Sequence, residues 1–237
     1  MLCRFLLWYC AVLVFTGSFP VRATGQVEEI RDRGVDRAHQ RQLDRVIADL
    51  TAAIRLDSKN AEAYFGRGVA RSERGEYQKA IADFTEVIRL NPKNADAYME
   101  RAALWGIKEE YDKAIADFTE VIRLNPKNAD AYMGRGDAWT EKREYDKAIA
   151  DLTEAIRLNP KNASLFSVRG ALWGIKGKYD KAIADFTEVI RLNPKNADAY
   201  MGRGRAWAAK GDRDKAASDR RQAEFLRSSR SHADRQL

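Results

Sequence analysis

Residues able to do acid–base, nucleophilic or metal chemistry are few in this chain, and they do not converge. Both cysteines, Cys3 and Cys10, lie in the first ten residues, and the only histidines, His39 and His232, stand near opposite ends. A nucleophile, its base and an orienting group must meet at one point, and the sequence offers no such asymmetric set. No glycine-rich phosphate loop follows a strand pattern. What recurs instead is a charge pair. Arg67, Arg101, Arg135, Arg169 and Arg203 are each followed sixteen residues later by an aspartate: Asp83, Asp117, Asp151, Asp185 and Asp219. Arg33 and Asp49 repeat the spacing once more. Charges on a fixed period are structural, and two antiparallel helices would join each pair as an ion pair within one unit. Breaking one would strand a partly buried charge, at about 3 kcal/mol. The chain therefore reads as no enzyme, with no cofactor, no metal and no small-molecule substrate.

These charges ride on a repeat. Asn94 to Lys127, NADAYMERAALWGIKEEYDKAIADFTEVIRLNPK, recurs after 34 residues at Asn128–Lys161 and again at Asn162–Lys195, where the copy differs from the first in only eight places. Sliding back gives Asn60–Lys93. Tyr77, Ala80, Ile81, Phe84, Val87 and Ile88 recur at three- and four-residue steps, which predicts a helix with one wide apolar stripe. Ala97, Tyr98, Leu104 and Trp105 predict a shorter helix before the corresponding stretch of the next unit. Asn94 can cap that helix and Asp96 suits its first turn; Asn91-Pro92 ends the helix before it. Gly75, Gly177 and Gly211 fall between the two helices, as do Glu109 and Arg143. A left-handed backbone there would cost the latter two about 1 kcal/mol each against glycine. Gly68, Gly136, Gly170 and Gly204, opposite Ala80, Ala148, Ala182 and Ala216, let the paired helices cross closely.

One such pair cannot bury its own apolar face, so the units must stack. The expected fold is all-α, a solenoid of antiparallel helix pairs with a 34-residue period. Gln26–Lys59 fits the period at Asp49, Leu50, Ile54 and Leu56 but is polar in its first half, as expected of a degenerate end unit. The unit from Asn196 to Ser229 carries Arg213, Ala217, Arg220 and Glu224 where another has Tyr179, Ile183, Phe186 and Ile190. The stack should end there, with 230–237 a flexible tail.

Met1–Ala23 has a basic residue, an apolar run from Phe5 to Phe15 and small residues near its end, the pattern of an export signal cleaved near Ala23. An uncleaved anchor is the alternative, although the apolar run is shorter than the about 20 residues a membrane-spanning helix needs. Export predicts a periplasmic or secreted protein; without it the chain would be cytoplasmic. The formal charge of +7 is spread over both signs and forms no basic stripe, which speaks against nucleic acid.

The units resemble the tetratricopeptide repeat family, in its exported bacterial form: Tyr98, Ala102, Ala114, Phe118 and Pro126 fit the family pattern, as do Tyr132, Gly136, Ala148, Leu152 and Pro160. The resemblance covers Gln26 to Ser229 as six units, the first degenerate. It implies a right-handed superhelix whose first helices line a concave groove that holds a peptide or helix of another protein. The lysines and asparagines by which one variety of the family grips carboxyl-terminal tails are absent from the inner positions.

Projecting the first helices leaves one face outside the core: Phe65, Val69 and Glu73; Met99, Ala103 and Ile107; Met133, Asp137 and Glu141; Ser167, Ala171 and Ile175; Met201 and Arg205. Methionines with small neighbours make an adaptable apolar strip, edged by Glu62, Asp96, Asp130 and Asp198. The expected role is a scaffold for a partner that is apolar with some basic character; the competing reading has the methionines only pack between neighbouring helices. Weak homo-association is a second function for the same surfaces. Trp105, Trp139, Trp173 and Trp207 either stack on a ring ligand or, as expected here, fill the seams between helix pairs. Lys79, Lys113, Lys147 and Lys181 are expected on the outer, wet face.

Overall fold

The computed structural model describes the backbone of residues 21–233 and the side chains of 38–229. The chain divides into two compact units, Met1–Val46 and Ile47–Leu237. Of the first, the described part is the leading stretch of a single helix, α1 (Val21–Leu56). The second begins in the last turns of that helix and continues as ten shorter ones. These are α2 (Ala61–Glu73), α3 (Tyr77–Leu90), α4 (Ala95–Ile107), α5 (Tyr111–Leu124), α6 (Ala129–Glu141), α7 (Tyr145–Leu158), α8 (Ala163–Ile175), α9 (Tyr179–Leu192), α10 (Ala197–Ala209) and α11 (Arg213–Ala233). Consecutive helices pack as pairs, α2 with α3 through α10 with α11, and each second helix also packs on the next first helix. The second unit is thus an all-α, right-handed superhelical solenoid on the expected period.

Each boundary has a local cause. Asn60, Asn94, Asn128 and Asn196 accept the amide hydrogen bond of the residue three places on, at 2.9–3.0 Å. Asn162 takes Ser164 instead, at 3.0 Å. Between helices the backbone is left-handed at Gly75, Gly177 and Gly211, and equally at Glu109 and Arg143, both with φ of 60°. The last two therefore carry the expected strain.

Residues 26–59 depart from expectation. They hold no helix pair; α1 runs unbroken from Val21 to Leu56. Arg41 occupies the place of Gly75, and Arg31, Asp32, Arg33, Asp36 and Arg37 offer no apolar stripe on which a hairpin could close. Fit to the period at Asp49, Leu50 and Ile54 reported only a second helix. Most of the expected export segment and residues 234–237 of the expected tail lie outside the described residues, and α11 remains helical to Ala233. On α11 Ala216 and Ala223 are buried, whereas Arg213, Ala217, Arg220 and Glu224 face solvent. Nothing in the described chain stacks beyond them.

The core is distributed along the stack in clusters that follow the seams between helices. Its volumes compensate between neighbours. Where α3 and α5 put Phe and Val, α7 has Leu152 and Ala155; the facing helix α8 answers with Leu165 and Val168, and all four pack in one cluster.

Candidate functional site

The five arginine–aspartate pairs form as predicted. Arg67, Arg101, Arg135, Arg169 and Arg203 each place Nε and Nη2 on the two oxygens of their aspartate, with Nη2 to Oδ1 at 2.7–2.8 Å. The aspartates are the buried charged residues of the described chain. Each arginine does more than pair within its unit. Its Nη1 donates to a threonine of the preceding unit, Thr51, Thr85, Thr119, Thr153 or Thr187, at 2.9–3.2 Å. Those threonines in turn donate to the carbonyl four residues back. The resulting chain of bonds staples one unit to the next. Hydrogen bonding to Asp151 and Asp219 holds the Arg135 and Arg203 guanidiniums above the usual arginine range. The expected Arg33–Asp49 partnership involves a side chain outside the described residues.

The tryptophans sit in seams: Trp105 packs against two successive core clusters, as does Trp173. Three of the lysines assigned to the wet face, joined by Lys215, have a second task. Lys113, Lys147, Lys181 and Lys215 lie over Trp105, Trp139, Trp173 and Trp207, with Nζ 4.2–4.4 Å from the ring centres. A ring covered by its own lysine on one side and core on the other is a packed seam and not a platform for a ligand. Arg71, in the place of a tryptophan, joins Arg67 on Asp83 at 2.8 Å.

These contacts fix the first helices side by side, with α2 against α4, α4 against α6 and α8 against α10. The predicted strip then divides by depth. Phe65 and Val69 are half-buried on the first core cluster, and Phe65 meets Phe84 edge to face at 5.5 Å. Met99 and Met133 are half-buried against their own seams; Met201 and Ser167 are half-buried too. Ala103, Asp137, Ala171 and Arg205 are exposed. Ile107 and Ile175, 57% and 62% exposed, are the apolar side chains that water actually meets on this face.

Between α4 and α6 the face opens into a cavity of about 320 Å³, floored by Phe118 and Tyr111, bordered by Ala103 and Gly134, and walled by Asp137 and Glu141. Its depth has a steric origin. A Cβ on Gly134 would stand 2.4 Å from the Phe118 ring, so only glycine lets the ring lie there. Asp137 meets solvent at the cavity mouth, yet desolvation of its carboxyl by the surrounding cavity wall, and then the neighbouring Glu141, push it up; burial and Asp96 do the same to Glu100. Burial, with Glu141 next, raises the Tyr111 phenol. Asp137 and Glu141 make no hydrogen bond or ion pair with the described residues, whereas outer carboxylates Glu86, Glu120, Glu154 and Glu188 are each bound by the arginine three residues on. An apolar floor beside two unpaired carboxylates can take a side chain that is aliphatic along its stem and cationic at its tip. No group of residues that could hold a metal ion occurs among the described residues.

The helical projection missed Tyr111 and Phe118, which reach this cavity from a second helix. The signal was present in Gly134, which takes the register of Glu100 and Val168.

Comparison with known proteins bears on what this face belongs to. A family model described as "Tetratricopeptide repeat" matches residues 108–163 and 176–227, and a second of the same description matches 61–94. A search of curated proteins gives no match. Among solved structures, MamA is 25% identical with a TM-score of 0.68, over 70% of this chain and 96% of its own. YrrB, described as "a TPR protein with an unusual peptide-binding site", is 24% identical with a TM-score of 0.68, over 78% and 97%. A tetratricopeptide repeat protein from Parabacteroides merdae is 22% identical with a TM-score of 0.65, over 87% and 86%. These are likenesses of fold. The family models together match more than half of the sequence, and the chain belongs to the tetratricopeptide repeat family.

Proposed function

We propose that this non-catalytic interaction module is an adaptor of the cell envelope that holds a peptide or helix of a partner protein along its first helices. The methionines Met99, Met133 and Met201 form the yielding wall of the groove, and Ile107 and Ile175 are its apolar anchors. The observation that carries the reading is the pairing of two exposed isoleucines in equivalent positions with a cavity whose carboxylates have no partner. Isolated exposed apolar residues are ordinary on any surface. Two in register, on either side of unpaired acids, describe a lining for a ligand that is apolar with some basic character. YrrB, a fold relative, is described as having a peptide-binding site. The envelope assignment rests on the Met1–Ala23 pattern alone.

The test is a cross-linked pull-down from the envelope fraction, with amino-terminal sequencing of the recovered bait. An Ile107→Arg/Ile175→Arg variant is the comparison, since both side chains are exposed and the helices should keep their circular dichroism. Met133→Arg is unsuitable, because Met133 also packs in a seam. A protein recovered by the parent and lost by the variant supports the groove; equal recovery by both removes it. Recovery of bait alone would favour self-association, for which Phe225, 63% exposed on α11, is an apolar group near the end of the stack.

A further inference from the structure

We infer that the ligand segment is bipolar: a basic side chain seats against Asp137 and Glu141 between α4 and α6, and an acidic one meets Arg205 on α10, two first helices further along. The inference rests on the groove reading above and adds the polarity and spacing of what it holds.

The argument starts from an alternation within the stack. The helices α4 and α8 share the run Leu-Trp-Gly-Ile and present the same pair outward, Ala103 with Ile107 and Ala171 with Ile175. The helices α6 and α10 share Met-Gly-Arg-Gly before a variable position, and at that position they carry opposite charges, Asp137 and Arg205. The surroundings of those two charges are nearly the same. Gly134 lies on the ring of Phe118, and Gly202 lies on the ring of Phe186, with 2.4 Å and 2.6 Å to an added Cβ. Four residues on, the acidic site has Glu141 and the basic one has Ala209. The structure therefore repeats one steric setting with its sign reversed.

Neither charge is used by the fold. Arg205 is exposed and makes no hydrogen bond or ion pair with the described residues, in contrast to the stapled Arg203 two positions before it. Asp137 and Glu141 are equally unpaired. Charge complementarity then fixes the occupant as a single chain with a cation at one point and an anion at another. Packed helices lie about 8–10 Å apart and an extended chain rises about 3.3 Å per residue, so two first-helix steps span about six residues. Ile175 on the intervening α8 falls midway. The sequence read by the groove is thus apolar opposite Ile107, basic, apolar opposite Ile175, then acidic, at steps of about three residues. Complementary charges at separated points chiefly set register and direction, which the apolar groups alone leave open.

A random peptide library displayed on phage, panned on the full chain, tests this. The expected clones carry Lys or Arg with Asp or Glu about six residues away, and they are lost on the Ile107→Arg/Ile175→Arg variant. Asp137→Arg and Arg205→Glu should each weaken them about fivefold or more in fluorescence anisotropy, with circular dichroism unchanged. Clones that depend on the isoleucines but ignore both charge reversals would leave the groove standing and overturn the polarity. An absence of clones that depend on the isoleucines would overturn both.

Discussion

The Phe118 ring lies over Gly134 because it has nowhere else to go, and that statement can be tested quantitatively. In the preceding unit, Phe84 turns the other way: an added Cβ on its own first-helix glycine, Gly68, would stand 2.9 Å from the ring. The residue facing Phe84 across the seam is Glu100, so the next unit offers it no room. Phe118 meets the mirror situation, with Ala102 in its own unit and Gly134 in the next. Replacing Gly134 by valine sets helix propensity against packing. Valine gains about 0.3 kcal/mol over glycine in a helix, while forcing atoms into a filled seam costs about 1–3 kcal/mol. The net loss should be about 1–2.5 kcal/mol. Phe118→Leu alone should cost about 1–2 kcal/mol through lost burial. The double variant recreates the Leu152 and Val168 combination that the chain already uses two helices later, so it should cost little more than Phe118→Leu alone. A coupling of at least about 1 kcal/mol follows. Urea unfolding followed by circular dichroism measures it, provided the slope with denaturant is unchanged, since repeat arrays can lose cooperativity. Adding Ala102→Gly to Gly134→Val should also recover stability by letting the ring turn inward. Additivity of the two costs within about 0.5 kcal/mol, or a harmless Gly134→Val, would refute the reasoning.

Other consequences are simpler. Arg135→Met leaves Asp151 buried without its bidentate partner and should cost about 3 kcal/mol in the same unfolding assay; joint replacement with Asp151→Leu should recover much of it. Arg143→Gly relieves the left-handed backbone at φ 60° and should stabilise by up to about 1 kcal/mol. Asp137 titrates above its ordinary value in the folded chain because the cavity wall desolvates its carboxyl and Glu141 stands beside it. Its contribution is therefore most favourable at low pH and is lost as pH rises through the raised value. Asp137→Asn should accordingly raise the melting temperature at neutral pH and make no difference below the ordinary aspartate range; the opposite pattern would sink the assignment.

Much of this was legible because it lies at fixed offsets within one unit. The arginine–aspartate pairs, the asparagine caps and the strained turns at Glu109 and Arg143 follow from reading a single period. What was missed passes between units or depends on depth. Thr85 looks like a helix residue of one unit, yet its hydroxyl accepts from Arg101 of the next. Lys113 looks solvated until the fold brings Trp105 beneath it. A helical projection assigned Met99 and Ile107 to one face, but only the packed seam shows that the first is half-buried and the second is not. In 26–59 the period was satisfied by the second half alone, which is why a continuous helix was read as a pair.

The distribution of differences among the units constrains where discrimination can arise. The second helices α5 and α9 are identical in sequence, and α3 differs from them at one position. α7 differs from them where Leu152 and Ala155 stand, both buried and both matched by larger residues on α8. Such changes tune packing and present nothing to a partner. On the predicted strip the first helices differ in two largely exposed rows: Val69, Ala103, Asp137, Ala171 and Arg205, of which all but Val69 are exposed, and Glu73, Ile107, Glu141, Ile175 and Ala209, all exposed. A surface built from near-copies can distinguish one segment from another only where the copies diverge. Affinity can therefore come from Ile107, Ile175 and the half-buried methionines, which would accept many apolar side chains. On the proposed reading the choice among them is made by the charges on α6 and α10, which lie on rows that the stacking leaves free.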